Sequence, residues 1–136
     1  MTETIKATMD VIIEDEAIDS IVSMSFDRIY SFGCYCECVD FVKPDGTLGI
    51  MGEYGQQQIS LGGSIIWYDD ESDDKWELTK EKFINGIKLL LADEKQRKHV
   101  PLDYKNGKLY VSPIHMDGID ADAVIQYALF GEWVFC

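Results

Sequence analysis

The sequence predicts an α+β domain in which about three helices pack on a mostly antiparallel sheet. The chain has 136 residues, close to the commonest size of a single domain. Hydrophobic residues make up 46% of it and aromatic residues 12%, enough for a folded core. Segments of alternating hydrophobicity are interspersed with segments of helical periodicity. No repeat or linker divides the sequence, so we expect one domain over residues 1–136.

The N-terminal part predicts a strand followed by a helix. Apolar residues alternate with mostly polar ones from Ile5 to Ile13, which is typical of a strand with one buried face. The acidic sequence Glu14-Asp15-Glu16 suits the N-terminus of a helix, where carboxylates meet the positive end of the helix dipole. Helical spacing of Ala17, Ile18, Ile21, Val22 and Ser25 follows. We expect this helix to end near Arg28.

The middle of the chain predicts strands separated by turns. Residues 29–42 are rich in β-branched, aromatic and cysteine residues and predict a strand, closed by the turn Lys43-Pro44-Asp45-Gly46. The glycine-rich residues 47–63 predict turns, with a short helical turn within 53–60. Ser64–Tyr68 and Lys75–Leu78 flank an acidic loop and predict a hairpin.

Two helices and another hairpin are predicted after this point. Thr79 is the expected N-cap of the middle helix, with Leu78 and Phe83 at the spacing of a hydrophobic staple. Asn106-Gly107 predicts a hairpin, because a type I′ turn requires two positive φ angles. The last helix is expected from about Asp120 to Phe130.

The predicted C-terminus consists of a helix stop and an apolar segment. Gly131 is suited to a left-handed C-cap after the last helix. Trp133–Phe135 is expected to form either a strand or an apolar coda.

Charge limits the partners of this protein. The chain carries 25 acidic and 12 basic residues, a formal net charge of −13. Such a surface repels nucleic acid and acidic membranes and attracts basic proteins or cations. Residues 1–5 lack the basic and apolar regions of a secretory signal, and no apolar run approaches the length of a membrane span. We therefore expect a cytoplasmic protein that binds neither nucleic acid nor a membrane directly.

No cofactor is predicted. Cys34, Cys36 and Cys38 alternate along one strand face, and thiols on a straight strand do not converge tetrahedrally on zinc. Free thiols are the expected state in a reducing cytosol, and a zinc site completed by Cys136 or His115 is the alternative.

The loop at residues 69–74 has the composition of a calcium loop but not its spacing. Counted from Asp69, the sixth and twelfth positions hold Asp74 and Lys80, where an EF-hand has glycine and a carboxylate. We expect a solvated hairpin tip.

No set of residues predicts catalysis, and we expect the protein not to be an enzyme. The only histidines are His99 and His115, and no local signature places either beside a nucleophile. Leu61-Gly62-Gly63-Ser64 precedes a predicted strand, whereas phosphate loops precede a helix. A Cys–His pair is the alternative.

The acidic residues are the remaining candidate for function, and they occur in three clusters. The clusters are Glu14, Asp15, Glu16 and Asp19; Asp69, Asp70, Glu71, Asp73 and Asp74; and Asp117, Asp120 and Asp122. If folding brings two clusters onto one face, their carboxylates could compete with DNA or RNA for a basic groove. The alternative is an acidic surface that only confers solubility.

Three segments together resemble a family of small acidic proteins from phages and prophages of Gram-positive bacteria. They are Glu53–Gly63, Trp76–Thr79 and Asp120–Glu132, and the resemblance extends from about Asp15 to the end. The cysteine-rich strand and the turn at residues 43–48 depart from the family. No activity or catalytic residue is assigned to it.

The resemblance implies a phage accessory protein that acts in the cytoplasm of a bacterial host. By analogy with anti-CRISPR inhibitors, it implies stoichiometric binding to a basic surface of a host or defence-system protein, in competition with nucleic acid.

Two alternatives come from other classes of protein. One is a small-ligand-binding protein with a pocket near Gly49–Gly63, walled by Tyr54, Trp67 and Trp76. The other is a homo-oligomeric structural phage component that associates through apolar surface, for example Trp133–Phe135.

Overall fold

The helices and strands alternate along the chain. The structure is a computed structural model that describes residues 2–26, 34–38, 55–69 and 72–135. Its helices and strands are β1 (Val11–Ile12), α1 (Asp15–Phe26), β2 (Cys34–Cys38), β3 (Ser64–Asp69), β4 (Lys75–Thr79), α2 (Lys80–Ala92), β5 (Leu102–Lys105), β6 (Lys108–Val111) and α3 (Gly118–Phe130). The predicted α+β class is confirmed. None of these helices is long and apolar enough to cross a membrane.

The strands form two sheets where the sequence predicted one. One three-stranded sheet has the order β1-β6-β5 and the other β2-β3-β4. β1 is parallel to β6, and the other paired strands are antiparallel. In the second sheet Trp67 lies opposite Trp76.

The N-terminal strand is much shorter than predicted. Only Val11 and Ile12 pair, with Leu109 and Tyr110 of β6. β6 begins at Lys108, directly after the Asn106-Gly107 turn, so residues before Asp10 extend beyond the end of their neighbouring strand. Ile5 is therefore 87% exposed, although its spacing predicted a buried strand face.

The two predicted caps of α2 and α3 are confirmed. The Thr79 side chain accepts a hydrogen bond from the Lys82 backbone N–H at 3.2 Å. Gly131 ends α3 in the left-handed conformation at φ 74°. Asn106 and Gly107 have φ angles of 51° and 78°, as the type I′ turn requires.

Several predictions fall partly or wholly outside the described residues. Within residues 29–42, the described part is β2, which pairs with β3. Arg28, the turn at residues 43–46 and residues 47–54 lie outside. The short helical turn predicted within 53–60 is present as a 3₁₀ turn at Gly55–Gln57.

The core surrounds α3. Residues Ala121 to Gln126 are six consecutive buried positions, so α3 is covered on all sides rather than along one stripe. It packs against both other helices, and Gly86 of α2 lies directly against the Ala128 backbone. The buried face of α1 is the predicted one, with Ala17, Ile18, Ile21, Val22 and Ser25 buried.

Candidate functional site

The start of α1 presents a group of exposed carboxylates. Glu14, Asp15 and Glu16 are all exposed, and the Glu14 carbonyl accepts the hydrogen bonds of Ala17 and Ile18 that open the helix. Negative charge is stabilised at this end of a helix, where the backbone N–H groups and the helix dipole are positive. The helix N-terminus therefore offsets part of the mutual repulsion of these carboxylates.

One lysine partly compensates this charge. Lys80, the first residue of α2, lies 3.4 Å from an Asp15 carboxylate oxygen and donates a 3.0 Å hydrogen bond to the Ser60 carbonyl. These contacts join the start of α1 to the start of α2 and to the turn before β3. Among the described residues, no further ion pair involves these carboxylates.

Asp19 lies one turn further along α1 and is half-buried. Burial raises the pKa of its carboxyl group, and the negative charges of Asp15 and Glu16 raise it further. A hydrogen bond with the Ser60 side chain and the charge of Lys80 oppose these effects. The Asp19 Oδ1 atom is buried and has no hydrogen-bond partner. Asp19 is thus a carboxylate with unused hydrogen-bonding capacity in a locally negative environment.

A polar groove lies beside Asp19. It has a volume of about 470 Å³ and is open to solvent, between α1 and the 3₁₀ turn. Its lining residues are Asp19, Ser20, Ser23, Met24, Gln56 and Gln57. Carboxylate, hydroxyl and amide oxygens along an open groove can accept hydrogen bonds from lysine or arginine side chains. We call the exposed carboxylates at 14–16, Asp19 and this groove the α1 acidic site.

The residue directly after the 3₁₀ turn, Gln58, has a side-chain amide without hydrogen-bond partners. Gln58 is fully buried, and neither its nitrogen nor its oxygen has a hydrogen-bond partner. A buried polar group left unpaired costs about 1–3 kcal/mol. The turn that forms one wall of the groove is therefore less stable than its burial alone would suggest.

The second predicted acidic cluster is a hairpin tip at a different place. The Asp69 N–H bonds to the Asp74 carbonyl at 3.0 Å and closes the β3–β4 hairpin. Asp73 and Asp74 are exposed, whereas Asp70 and Glu71 lie outside the described residues. This tip and the α1 acidic site lie at opposite ends of β4, about 17 Å apart along a five-residue strand. The two clusters do not merge.

The third predicted cluster is largely structural, and Asp122 was wrongly assigned to the surface. Asp117 and Asp120 form a reciprocal capping box at the start of α3. The Asp120 backbone N–H, bonded to the Asp117 carboxylate, lowers the pKa of Asp117. Asp122 is only 2% exposed and accepts a hydrogen bond from Gln126 at 3.2 Å. The reason is that α3 is buried on all sides, so a polar residue on it is not necessarily exposed.

Both histidines contact carboxylates, and neither contact was predicted. His99 Nδ1 lies 2.7 Å from Asp120 Oδ1, and its ring lies 5.7 Å from that of Trp133. Exposed His115 lies 3.9 Å from Asp103. The Ser112 hydroxyl bonds to Asp103 at 2.7 Å rather than to an imidazole, so it differs from a serine–histidine catalytic pair.

Within the described part of the chain, no three metal-ligating side chains converge. The side chains of Cys34, Cys36 and Cys38, and Cys136, lie outside it, so the predicted free thiols and the alternative zinc site stay predictions.

Two of the residues that would wall the alternative pocket near Gly49–Gly63 pack in the described core. Trp67 is fully buried, with its ring centroid 6.3 Å from that of Phe26. Trp76 packs edge-on against Phe130 at 5.0 Å. These two indoles fill space between elements rather than line a cavity, and Tyr54 lies outside the described residues.

The C-terminal segment is part of the fold. Trp133–Phe135 forms no strand, and the fully buried Gln126 amide holds it. The Gln126 oxygen accepts hydrogen bonds from the Val134 and Phe135 backbone N–H groups, and its nitrogen donates to the Phe135 carbonyl. The surface suggested by sequence for self-association therefore packs on its own chain.

No family model, curated protein or solved structure matches this chain.

Proposed function

We propose that this chain is a non-enzymatic phage accessory protein that binds a basic surface of a host protein through the α1 acidic site. The observation that carries the proposal is the excess of carboxylates there. Among the described residues, three exposed carboxylates and the half-buried Asp19 have one ion pair, between Asp15 and Lys80. A partner lysine or arginine would lower the pKa of Asp19, which burial raises and the negative charges of Asp15 and Glu16 raise further.

The proposed partner is a nucleic-acid-handling protein of the bacterial cytoplasm, such as a defence complex. Its basic groove would meet carboxylates where it normally meets phosphates, and long-range attraction would speed the association. The net charge of −13 makes direct binding of this chain to nucleic acid unfavourable. The chain would therefore inhibit by occupying the groove, in a one-to-one complex.

The test is a pull-down from a Gram-positive host lysate at low and high salt, with mass spectrometry of the retained proteins. We expect a nucleic-acid-handling protein that is retained at low salt and lost at high salt, because exposed charges are screened. The purified partner should then lose its nucleic acid when the chain is added. Retention that is unchanged by salt would contradict the proposal.

Two charge-reversal variants distinguish the α1 acidic site from general acidity. E14K/E16K reverses two exposed charges at this site, and D73K/D74K makes the same net change at the hairpin tip. We expect only E14K/E16K to abolish capture, with both variants still folded by circular dichroism. Equal losses would indicate non-specific charge attraction and refute the assignment of the site.

A further inference from the structure

The N-terminal arm, residues 2–10, has the pattern of a strand but pairs with no other segment among the described residues. Its apolar residues Ile5, Ala7 and Met9 alternate with polar ones, yet all are exposed, Ile5 by 87% and Met9 by 55%. The arm overhangs the end of β6, which begins at Lys108. Removing the apolar face of this segment from water would lower the free energy.

The arm continues into an edge strand. β1 is the first strand in the order β1-β6-β5, and among the described residues none pairs with its other edge. An unpaired edge presents a row of backbone donors and acceptors that can pair with another extended segment.

An apolar groove lies along the same face of this edge. Its volume is about 670 Å³, between the arm and β1 on one side and α2 on the other. Met9, Val11 and Ile13 line it together with Ile84 and other apolar residues of α2, and Thr8 and Asp10 also border it. Ile84 is 39% exposed.

We propose that two copies of this chain pair their N-terminal arms antiparallel about a twofold axis at Thr8, which joins their β1 sheets edge to edge. Pairing of a segment with its own copy satisfies twofold symmetry automatically. The Thr8 register places Ile5 opposite the partner's Val11 and Ala7 opposite the partner's Met9. These residues are all odd-numbered and therefore share the face that bears the apolar groove.

Charge selects this register. With Thr8 on the axis, Lys6 of each copy lies opposite Asp10 of the other, and both residues are exposed. Opposite charges directly across an antiparallel pair are stabilising. A register centred on Met9 instead places Lys6 opposite Ile12 and leaves Asp10 opposite Thr8. The arm thus fits a second copy of itself in both hydrophobic pattern and charge.

The first experiment measures the mass of the full chain by sedimentation equilibrium up to millimolar concentration. We expect a monomer–dimer equilibrium, and a monomer at every concentration for a chain lacking residues 2–10. A wild-type chain that is monomeric at every concentration would overturn the proposal. The arm would then bind the groove of its own chain or a different protein. A dimer that survives the deletion would overturn it as well.

Charge exchange tests the register. K6D and D10K each place like charges opposite one another at two symmetric positions, and we expect each to weaken the dimer by about ten-fold. The double variant K6D/D10K restores opposite charges and should recover the wild-type dissociation constant. Additive losses in the double variant would refute the Thr8 register.

Disulfide trapping tests the axis itself. Opposed residues in an antiparallel pair have Cα atoms about 4.5–5.5 Å apart, within the range of a disulfide. T8C should therefore form an intermolecular disulfide under mild oxidation, identified by mass spectrometry of the linked peptide. T4C is the matched control, because its two copies would lie about 26 Å apart along the strands. Cross-linking of T4C as fast as T8C would mean that the arms meet only by random collision.

Discussion

Substitution of Gly86 by alanine is expected to destabilise the protein, although alanine normally stabilises a helix. Gly86 lies within α2 and is buried against α3. A Cβ atom at this position would lie 2.7 Å from the Ala128 nitrogen and 2.9 Å from its Cα. Both atoms belong to the backbone of a central helix, so no side-chain rotation can relieve the overlap.

Two opposing terms set the magnitude. Replacement of glycine by alanine in a helix interior contributes about 1 kcal/mol in favour of the folded state. The alanine Cβ would lie 2.7 Å from the Ala128 nitrogen. To bring these two atoms to an ordinary van der Waals distance, the two helices must separate by about 0.7 Å or more. Overpacking of this kind costs about 1–3 kcal/mol, and more where a backbone must move. Because a helix backbone must move here, the cost lies at the upper end of this range or above it, and we expect a net loss of about 2 kcal/mol or more.

Urea unfolding followed by circular dichroism measures this loss. The matched control is N85A, because the neighbouring Asn85 is exposed on the same helix. N85A should gain a few tenths of a kcal/mol from helix propensity alone. If G86A were as stable as wild type or more stable, the close approach of α2 and α3 would be wrong.

Three further variants test other contacts. Q126L keeps the side-chain volume but removes the hydrogen bonds to the C-terminal segment. The free energy of unfolding measured in urea should fall by about 2–4 kcal/mol, and proteolysis after residue 131 should increase. A fall of less than 0.5 kcal/mol, well below the contribution of about 1 kcal/mol from a single hydrogen bond, would refute the role of Gln126. T79A removes the N-cap of α2 and should cost about 1 kcal/mol, with an unchanged melting temperature as the contrary result. D19N should be more stable than wild type at neutral pH, because a raised carboxyl pKa means that ionisation of Asp19 opposes folding. That advantage should shrink as the pH falls toward the ordinary value of 3.8, and melting curves that show no pH-dependent difference would contradict it.

Local signals in the sequence predicted most of the described elements. Thr79, the Asn106-Gly107 pair and Gly131 each satisfy a backbone requirement that does not depend on the rest of the fold. The face of α1 was also predictable, because a helix with one buried stripe shows a 3.6-residue period.

Features that depend on distant parts of the chain were not predictable. The length of β1 is limited by where β6 begins, nearly a hundred residues later, and the local alternation contains no information about that. The tight packing at Gly86 likewise requires knowledge that α3 lies against it. Asp122 was misassigned because acidic residues are mostly exposed, and the buried amide of Gln126 that bonds it is a tertiary feature.

The acidic clusters differ in whether their carboxylates are already bonded within the chain, and this difference decides which cluster is the candidate binding site. In the third cluster, Asp117 and Asp120 cap a helix and Asp120 also holds His99, so their carboxylates are already engaged by their own chain. At the start of α1, Lys80 is the one ion-pair partner that the described residues supply to the carboxylates, and one Asp19 oxygen has no hydrogen-bond partner. Charge count alone cannot separate these cases, whereas hydrogen-bond partners can.

The two proposals, if both hold, make the protein bivalent. Glu14 lies two residues after the end of β1 and six residues from the proposed axis at Thr8, so the two α1 acidic sites of an arm-paired dimer would lie roughly 40 Å apart along the joined strands. Two sites at that spacing could engage two basic surfaces of one large complex, and the second contact would be intramolecular. Deletion of residues 2–10 should then weaken binding to an oligomeric or repetitive partner far more than to a single isolated subunit of it. If the deletion weakened binding to both forms of the partner equally, the arm would contact the partner directly. Bivalent binding through an arm-paired dimer would then be refuted.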